Sequence, residues 1–251
     1  MGCAIAVMAK ASIAGRTKTR LVPPLSWEEA AGLNTAFLRD VAENVLSAAA
    51  LADITGWMAY APAGSEAFFR AHLPASIGLL ETAKPDLGAC LLHAASSLLD
   101  AGHSAVCLLN SDSPTLPVDH LIAAATALAA PGDRVVLGPS TDGGYYLIGI
   151  KQTHRALFEN VDWSTERVFS QTLARCAEAN LPVLELPAWY DVDDPEALLV
   201  LIAEVIDAKP FRSFGSEATA ATQTRRYLSA LLEGADLAPR LGRAQPSSRV
   251  A

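Results

Sequence analysis

The stretch Val106-Cys107-Leu108-Leu109-Asn110-Ser111-Asp112-Ser113-Pro114 constrains this chain more than any other. Four apolar residues that give way at once to polar ones, with Pro114 and Pro117 following, read as a parallel strand buried on both faces whose carboxyl end opens into a loop. A strand of that kind belongs to an α/β sheet, and open α/β sheets bind ligands at the carboxyl ends of their strands. Asp112 stands at that position. A carboxylate there can hold a divalent cation or cap the next helix. The next helical pattern begins near Val118, so Asp112 is too far ahead to cap it and Thr115 is better placed.

The remainder alternates in the same way. Residues 4–8 read as the first strand, followed by a loop with Ser12, Gly15 and the cations Arg16, Lys18 and Arg20. Three cations within five residues can cradle a diphosphate or lie solvated; neither GxxxxGK[ST] nor GxGxxG is present. Ser26-Trp27-Glu28-Glu29 is a capping box opening a long helix toward residue 50. A strand over 54–60, a short helix over 66–73 and a weak edge strand over 77–80 come next. Asp86-Leu87-Gly88 leads into a helix that stops at Gly102. After the central strand, a helix over 118–130 and a strand over 134–138 reach the segment Gly138 to Gly149, where Asp142-Gly143-Gly144 suits a hairpin turn. The two glycines would equally let backbone amides approach a ligand while Asp142 accepts from hydroxyls. Ser164 is the expected N-cap of a helix to about residue 180, and 183–186 a short strand. In Tyr190-Asp191-Val192-Asp193-Asp194-Pro195, Asp194 caps a helix that Pro195 begins. Asp191 and Asp193 alternate on an extended segment, where they either hold a hard cation such as Mg²⁺ or are solvated loop acids.

Past Pro210 the composition changes to small and polar residues, with one further helix over 225–233 and a disordered tail over 240–251. The expected division is therefore a domain over 1–210 and a C-terminal extension over 211–251.

Composition excludes several classes. A net charge of −8 with 19 scattered Lys and Arg residues argues against a nucleic-acid partner. The most apolar windows, 121–130 and 198–206, fall short of the ~18 residues a membrane span requires. Four cysteines without a CxxC pair read as small buried hydrophobes, fitting a reducing cytoplasm.

Taken together and in this order, Lys18-Thr19-Arg20-Leu21, Asp86-Leu87-Gly88, Ser111-Asp112-Ser113-Pro114, Gly138-Pro139 with Asp142 to Gly149, Trp163-Ser164-Thr165 and Asp191-Val192-Asp193 resemble a bacterial family of GT-A-fold glycosyltransferases of the arsenosugar-biosynthesis type. That family is itself similar to the molybdenum-cofactor and 2-phospholactate guanylyltransferases. The resemblance implies a single three-layer α/β/α domain with a mostly parallel sheet, like the nucleotide-diphospho-sugar transferases, and a Mg²⁺ or Mn²⁺ cofactor. It implies that Lys18 and Arg20 neutralise a diphosphate, that Asp86 and Gly88 lie beside the nucleoside, and that Asp112 holds the metal with Asp191 or Asp193. Asp142, Gly143 and Gly144 would line the sugar or acceptor side. Pro85 and Cys90 depart from the family's Gly-Asp-Leu-Gly-x-Arg pattern, which removes a fixed cation from the nucleotide pocket, and Asn110 replaces a small residue.

The expected activity is glycosyl transfer from a nucleotide-diphosphate sugar to a small acceptor, with metal and cations stabilising the leaving diphosphate and Asp142 or a metal-free Asp191 or Asp193 as base. Nucleotidyl transfer to a phosphorylated acceptor and a catalytically weak nucleotide-binding module are the alternatives.

Overall fold

The structure, a computed structural model, describes residues 2–211, 217–234 and 236–242. Its seven strands are β1 (Cys3–Lys10), β2 (Ile54–Ala61), β3 (Gly78–Glu81), β4 (Ala105–Asn110), β5 (Val135–Pro139), β6 (Tyr145–Ile150) and β7 (Val183–Glu185), in the order β3-β2-β1-β4-β6-β5-β7. All neighbours run parallel except β6, which is antiparallel to both β4 and β5. That reversal follows from Asp142-Gly143-Gly144, which makes β5 and β6 a hairpin and returns the chain without a crossover helix.

Period-two alternation splits the central strands between two cores. On β1, Cys3, Ile5, Val7 and Ala9 face one side, while Ala4 and Ala6 face the other. On β4, Cys107 and Leu109 oppose Val106 and Leu108. The first core lies under α1 (Trp27–Ala49), α4 (Val118–Ala129) and α6 (Pro195–Val205), the second under α3 (Leu87–Asp100) and α5 (Val168–Glu178), with α2 (Glu66–His72) beside β3. This is the expected three-layer domain with a mostly parallel sheet. Helices cover both faces of the sheet, and the loops at the carboxyl ends of β1 and β4 emerge between them.

Local start signals act as their chemistry requires. The Ser26 hydroxyl accepts from the Glu29 amide at 3.2 Å and the Glu29 carboxylate accepts from the Ser26 amide at 2.7 Å, closing the capping box. Asp194 caps α6 through the Ala197 amide at 2.8 Å, with Pro195 in the first turn. Two expected caps are overturned. Ser164 adopts a left-handed backbone and α5 starts only at Val168. Thr115 is fully buried, donating to the Tyr190 hydroxyl and accepting from the Trp189 indole, and α4 begins after Pro117 with no side-chain cap.

The C-terminal segment docks on the first core. α7 (Thr222–Gly234) runs along α1, and its Leu228 and Leu232 are buried there. Asp40 of α1 accepts from the amides of Gln223 and Thr224 at 2.9 and 2.7 Å, serving as the α7 cap from a neighbouring helix. Tyr227 packs against Gly32, where a β-carbon would fall 2.1 Å from its hydroxyl. In the short α8 (Leu237–Arg240), Arg240 grips both Glu29 carboxylate oxygens at 2.7 and 2.8 Å and the Pro24 carbonyl at 2.6 Å. Arg240, expected in a disordered tail, is thus held; residues 243–251 of that expected tail lie outside the described residues. No helix among the described residues is long and apolar enough to cross a membrane.

Candidate active site

β1 and β4 are adjacent and parallel, so the loops that leave their carboxyl ends share one rim. After β1, the Thr17 hydroxyl donates to the Ala11 carbonyl and accepts from the Ile13 amide, folding the loop back on itself. Lys18 then takes a left-handed backbone (φ 53°) and its side chain turns inward, only 5% exposed. Its ammonium lies 2.8 Å from Asp112, 2.9 Å from Asp193 and 2.7 Å from the Val192 carbonyl, which uses all three N–H donors. Burial alone would lower the Lys18 pKa, but Asp112 and Asp193 together outweigh it and raise it. Burial likewise pushes Asp193 upward, and the charge and hydrogen bond of Lys18, with help from Arg20, override it and hold the carboxyl below its ordinary value.

The segment carrying Asp191 and Asp193 is pinned from behind. Trp189 and Val192 are fully buried, the Ser113 hydroxyl donates to the Tyr190 carbonyl at 2.9 Å, and the Val192 amide donates to the Asp112 carbonyl at 2.9 Å. Asp191 accepts from the Ser140 hydroxyl at 2.7 Å. Burial raises its carboxyl to about 6, against the Ser140 hydrogen bond and with the charges of Asp142, Asp193 and Asp112 adding to the rise. Asp112, Asp142, Asp191 and Asp193 are close enough here to act on one another, and Lys18 is placed between Asp112 and Asp193.

The Asp142-Gly143-Gly144 turn is closed by the Gly144 amide donating to Asp142 at 2.8 Å. Gly143 has φ +91°, and a β-carbon there would sit 2.3 Å from the Glu166 carbonyl oxygen. The position therefore demands glycine for backbone and packing reasons alike.

Two cavities meet at this rim. One, of about 350 Å³, is lined by Lys10, Arg16, Thr17, Lys18, Arg20 and Asn34 together with Asp112. The other, of about 340 Å³, is bounded by Asp142, Asp191 and Glu166 on its acidic side and by Leu91, Tyr145 and Trp163 on its apolar side. Met8, Arg20, Leu87, Asn110, Asp112 and Asp193 line both. The result is a groove that is basic at one end, acidic and aromatic at the other, with Asp112 and Asp193 at the waist.

Of the expected site residues, Lys18, Arg20, Asp112, Asp142, Gly144, Asp191 and Asp193 converge on this groove. Asp86 and Gly88 do not line it. Asp86 caps α3 through the Ala89 amide at 2.8 Å, and Gly88 packs beneath Phe158 and Trp163 beside a separate cavity of about 570 Å³. Gly143 supports the turn from outside the groove. Cys90, where the family pattern has arginine, donates its thiol to the Thr82 carbonyl. Ser140, Glu166 and Lys10 carry no expectation from sequence; for Ser140 the reason is plain, since its partner Asp191 lies 51 residues away.

Among the described residues, no group of three or more His, Cys, Asp or Glu side chains is gathered as a metal centre. Asp112 and Asp193 do share one cationic point, occupied by the Lys18 ammonium. The donors are hard carboxylate oxygens and the acids outnumber the cation between them, so the set fits a divalent ion of the Mg²⁺ or Mn²⁺ kind.

Comparison with known proteins adds to this geometry. A search of curated protein sequences found no match. A profile of DUF2064, described as an uncharacterized protein conserved in bacteria, matches residues 44–165. A candidate nucleotide-diphospho-sugar transferase from Desulfovibrio desulfuricans G20 superposes with a TM-score of 0.80 at 27% identity, over 96% of this chain and 99% of that one. The fold is that of the nucleotide-diphospho-sugar transferases. A cytidylyltransferase from Leptospira borgpetersenii serovar Hardjo-bovis shares it at TM-score 0.52 and 12% identity, over the whole of both chains. So does a CMP:2-keto-3-deoxy-manno-octonic acid synthetase complexed with CTP, at TM-score 0.53 and 12% identity, over 83% of this chain and 100% of that one.

Proposed function

We propose that this protein transfers a sugar from a nucleotide-diphosphate sugar to a small hydroxyl-bearing acceptor, using a divalent metal. The observation that carries the reading is the contact of Lys18 with both Asp112 and Asp193, at 2.8 and 2.9 Å, because it unites acids 81 residues apart at the waist between a basic and an acidic compartment. The diphosphate belongs in the basic compartment, with Arg16 and Arg20 against its oxygens. Both arginines are exposed there, and a guanidinium pairs with phosphate in a bidentate fork. Asp112 and Asp193 would hold the metal, which when bound supplies charge stabilisation to the departing diphosphate.

The sugar and acceptor occupy the acidic compartment. Asp191, oriented by Ser140 and free of Lys18, is placed to take the proton from the attacking hydroxyl. Asp142 and Gly144 line the same compartment and bind sugar or acceptor hydroxyls, while Tyr145 and Trp163 offer an apolar face. Asp86 is left a helix cap, and no nucleoside contact is assigned to it.

Nucleotidyl transfer, the activity named for the Leptospira structure, would use the same basic compartment. In the form expected from the sequence its acceptor is phosphorylated, and five carboxylates facing the second cavity, Asp112, Asp142, Glu166, Asp191 and Asp193, with Arg20 as its one arginine among the described residues, oppose such a ligand. Incubation with Mg²⁺ or Mn²⁺, a panel of sugar nucleotides and nucleoside triphosphates, and a panel of small hydroxyl-bearing and phosphorylated acceptors separates the two. Acceptor-dependent release of a nucleoside diphosphate is the expected result. Release of pyrophosphate from a triphosphate would replace this reading with its rival.

A further inference from the structure

Lys18 combines two positions that a single side chain cannot serve at once. It lines the basic compartment beside Arg16 and Arg20, yet its ammonium is drawn into the waist, where it makes a three-point contact with Asp112, Asp193 and the Val192 carbonyl. Two carboxylates converging on one point are also how a protein commonly holds a divalent ion whose remaining ligands are water and phosphate oxygens. We infer that Lys18 is a resident stand-in for the metal: binding of Mg²⁺ or Mn²⁺ displaces its ammonium from between Asp112 and Asp193 into the basic compartment, where it completes the cradle for the diphosphate. The inference rests on the assignment of Asp112 and Asp193 as metal carboxylates made above.

The physical case is one of charge and reach. Two carboxylates that share a single positive charge are under-neutralised, and an ion of twice the charge with a preference for oxygen ligands competes well for them. The ammonium is a point charge on a flexible four-carbon stem, so it can be re-aimed without moving the backbone far. Expelled from the waist, it must find other anions, and the nearest place for them is the compartment it already borders. Metal and diphosphate should therefore bind synergistically, each relieving the charge the other leaves exposed, and the coupling is reciprocal.

Titration of the protein with Mn²⁺ alone, followed by electron paramagnetic resonance of free Mn²⁺, gives the decisive sign. Lys18→Met removes the competing cation and is expected to bind Mn²⁺ on the order of tenfold more tightly than the parent, while the synergy between Mn²⁺ and UDP shrinks. Weaker or equal Mn²⁺ affinity in Lys18→Met would overturn the exchange. The parent protein offers a measurement that needs no variant: acylation of the Lys18 amine by a soluble ester, quantified by peptide mass spectrometry, should rise when Mg²⁺ is added. A fall or no change again overturns it. Asp112→Asn isolates the underlying assignment, because Mn²⁺ binding that survives in that variant removes Asp112 as a metal carboxylate, and the exchange with it. Loss of Mn²⁺ binding in Asp112→Asn without tightening in Lys18→Met condemns the exchange alone.

Discussion

Arg20 offers the test of the proposed phosphate role that its neighbours do not. It is exposed, borders both compartments, and among the described residues makes no ion pair within 4.0 Å, so its guanidinium is available to a ligand in a way that the ammonium of Lys18 is not. Arg20→Ala should weaken UDP binding by about tenfold, the worth of one charge-assisted contact, while uridine binding stays within twofold by calorimetry. Equal losses for both would remove Arg20 from the phosphate site. Asp112→Asn should abolish the Mn²⁺ dependence of UDP binding and leave the circular dichroism spectrum unchanged. At Gly143 the expected effect is on folding. An alanine there meets the Glu166 backbone and an unfavourable φ together, so Gly143→Ala should destabilise the protein by about 1–3 kcal/mol in urea titrations. What sequence made legible at this scale was Asp112 just past the end of β4 and the alternation of Asp191 and Asp193 on an extended segment, and the structure brings all three to one groove. The inward turn of Lys18 was not legible, because it depends on a carbonyl 174 residues away.

Among the elements, local chemistry was readable wherever cause and effect lie within one turn. The Ser26 capping box, the Asp194-Pro195 start and the Asp142-Gly143-Gly144 hairpin are all satisfied by near neighbours, and all form as the sequence suggests. Ser164 and Thr115 look equally good as caps but are drawn off by their surroundings, Thr115 most clearly by the buried Trp189 and Tyr190 side chains. The α1 terminus supports a prediction about acid stability. The Arg240 hydrogen bonds hold the Glu29 carboxyl below its ordinary value, against a partial burial that favours the neutral form, with the Ser26 amide acting in the same sense as Arg240. An acid depressed in the folded state contributes stability that is present above its ordinary pKa and lost as pH falls through the depressed value. Arg240→Ala should therefore lower the melting temperature at neutral pH, and the gap between the two proteins should narrow as pH drops below the ordinary carboxylate range. Because the pair is partly solvent-exposed, the loss at neutral pH is expected to be about 1 kcal/mol or less. A gap independent of pH would place the effect in packing instead.

At the scale of the whole molecule, the α/β/α layering was legible from the alternation of apolar runs and amphipathic helices, and so was the rim at which the site forms. The relation of the C-terminal segment to the rest was not, since its small, polar lead-in gives no hint that Asp40 and Glu29 await it on α1. That same helix carries Asn34, whose amide donates to the Lys10 carbonyl and the Ser12 hydroxyl at the root of the basic loop. One rigid rod thus touches the C-terminal segment on one side and the root of the basic loop on the other. Shortening the protein at residue 210, where the composition shifts, would leave α1 with a bare flank and slacken the loop that Asn34 tethers, so the cost of such a truncation should surface as poorer substrate retention as well as lower thermal endurance.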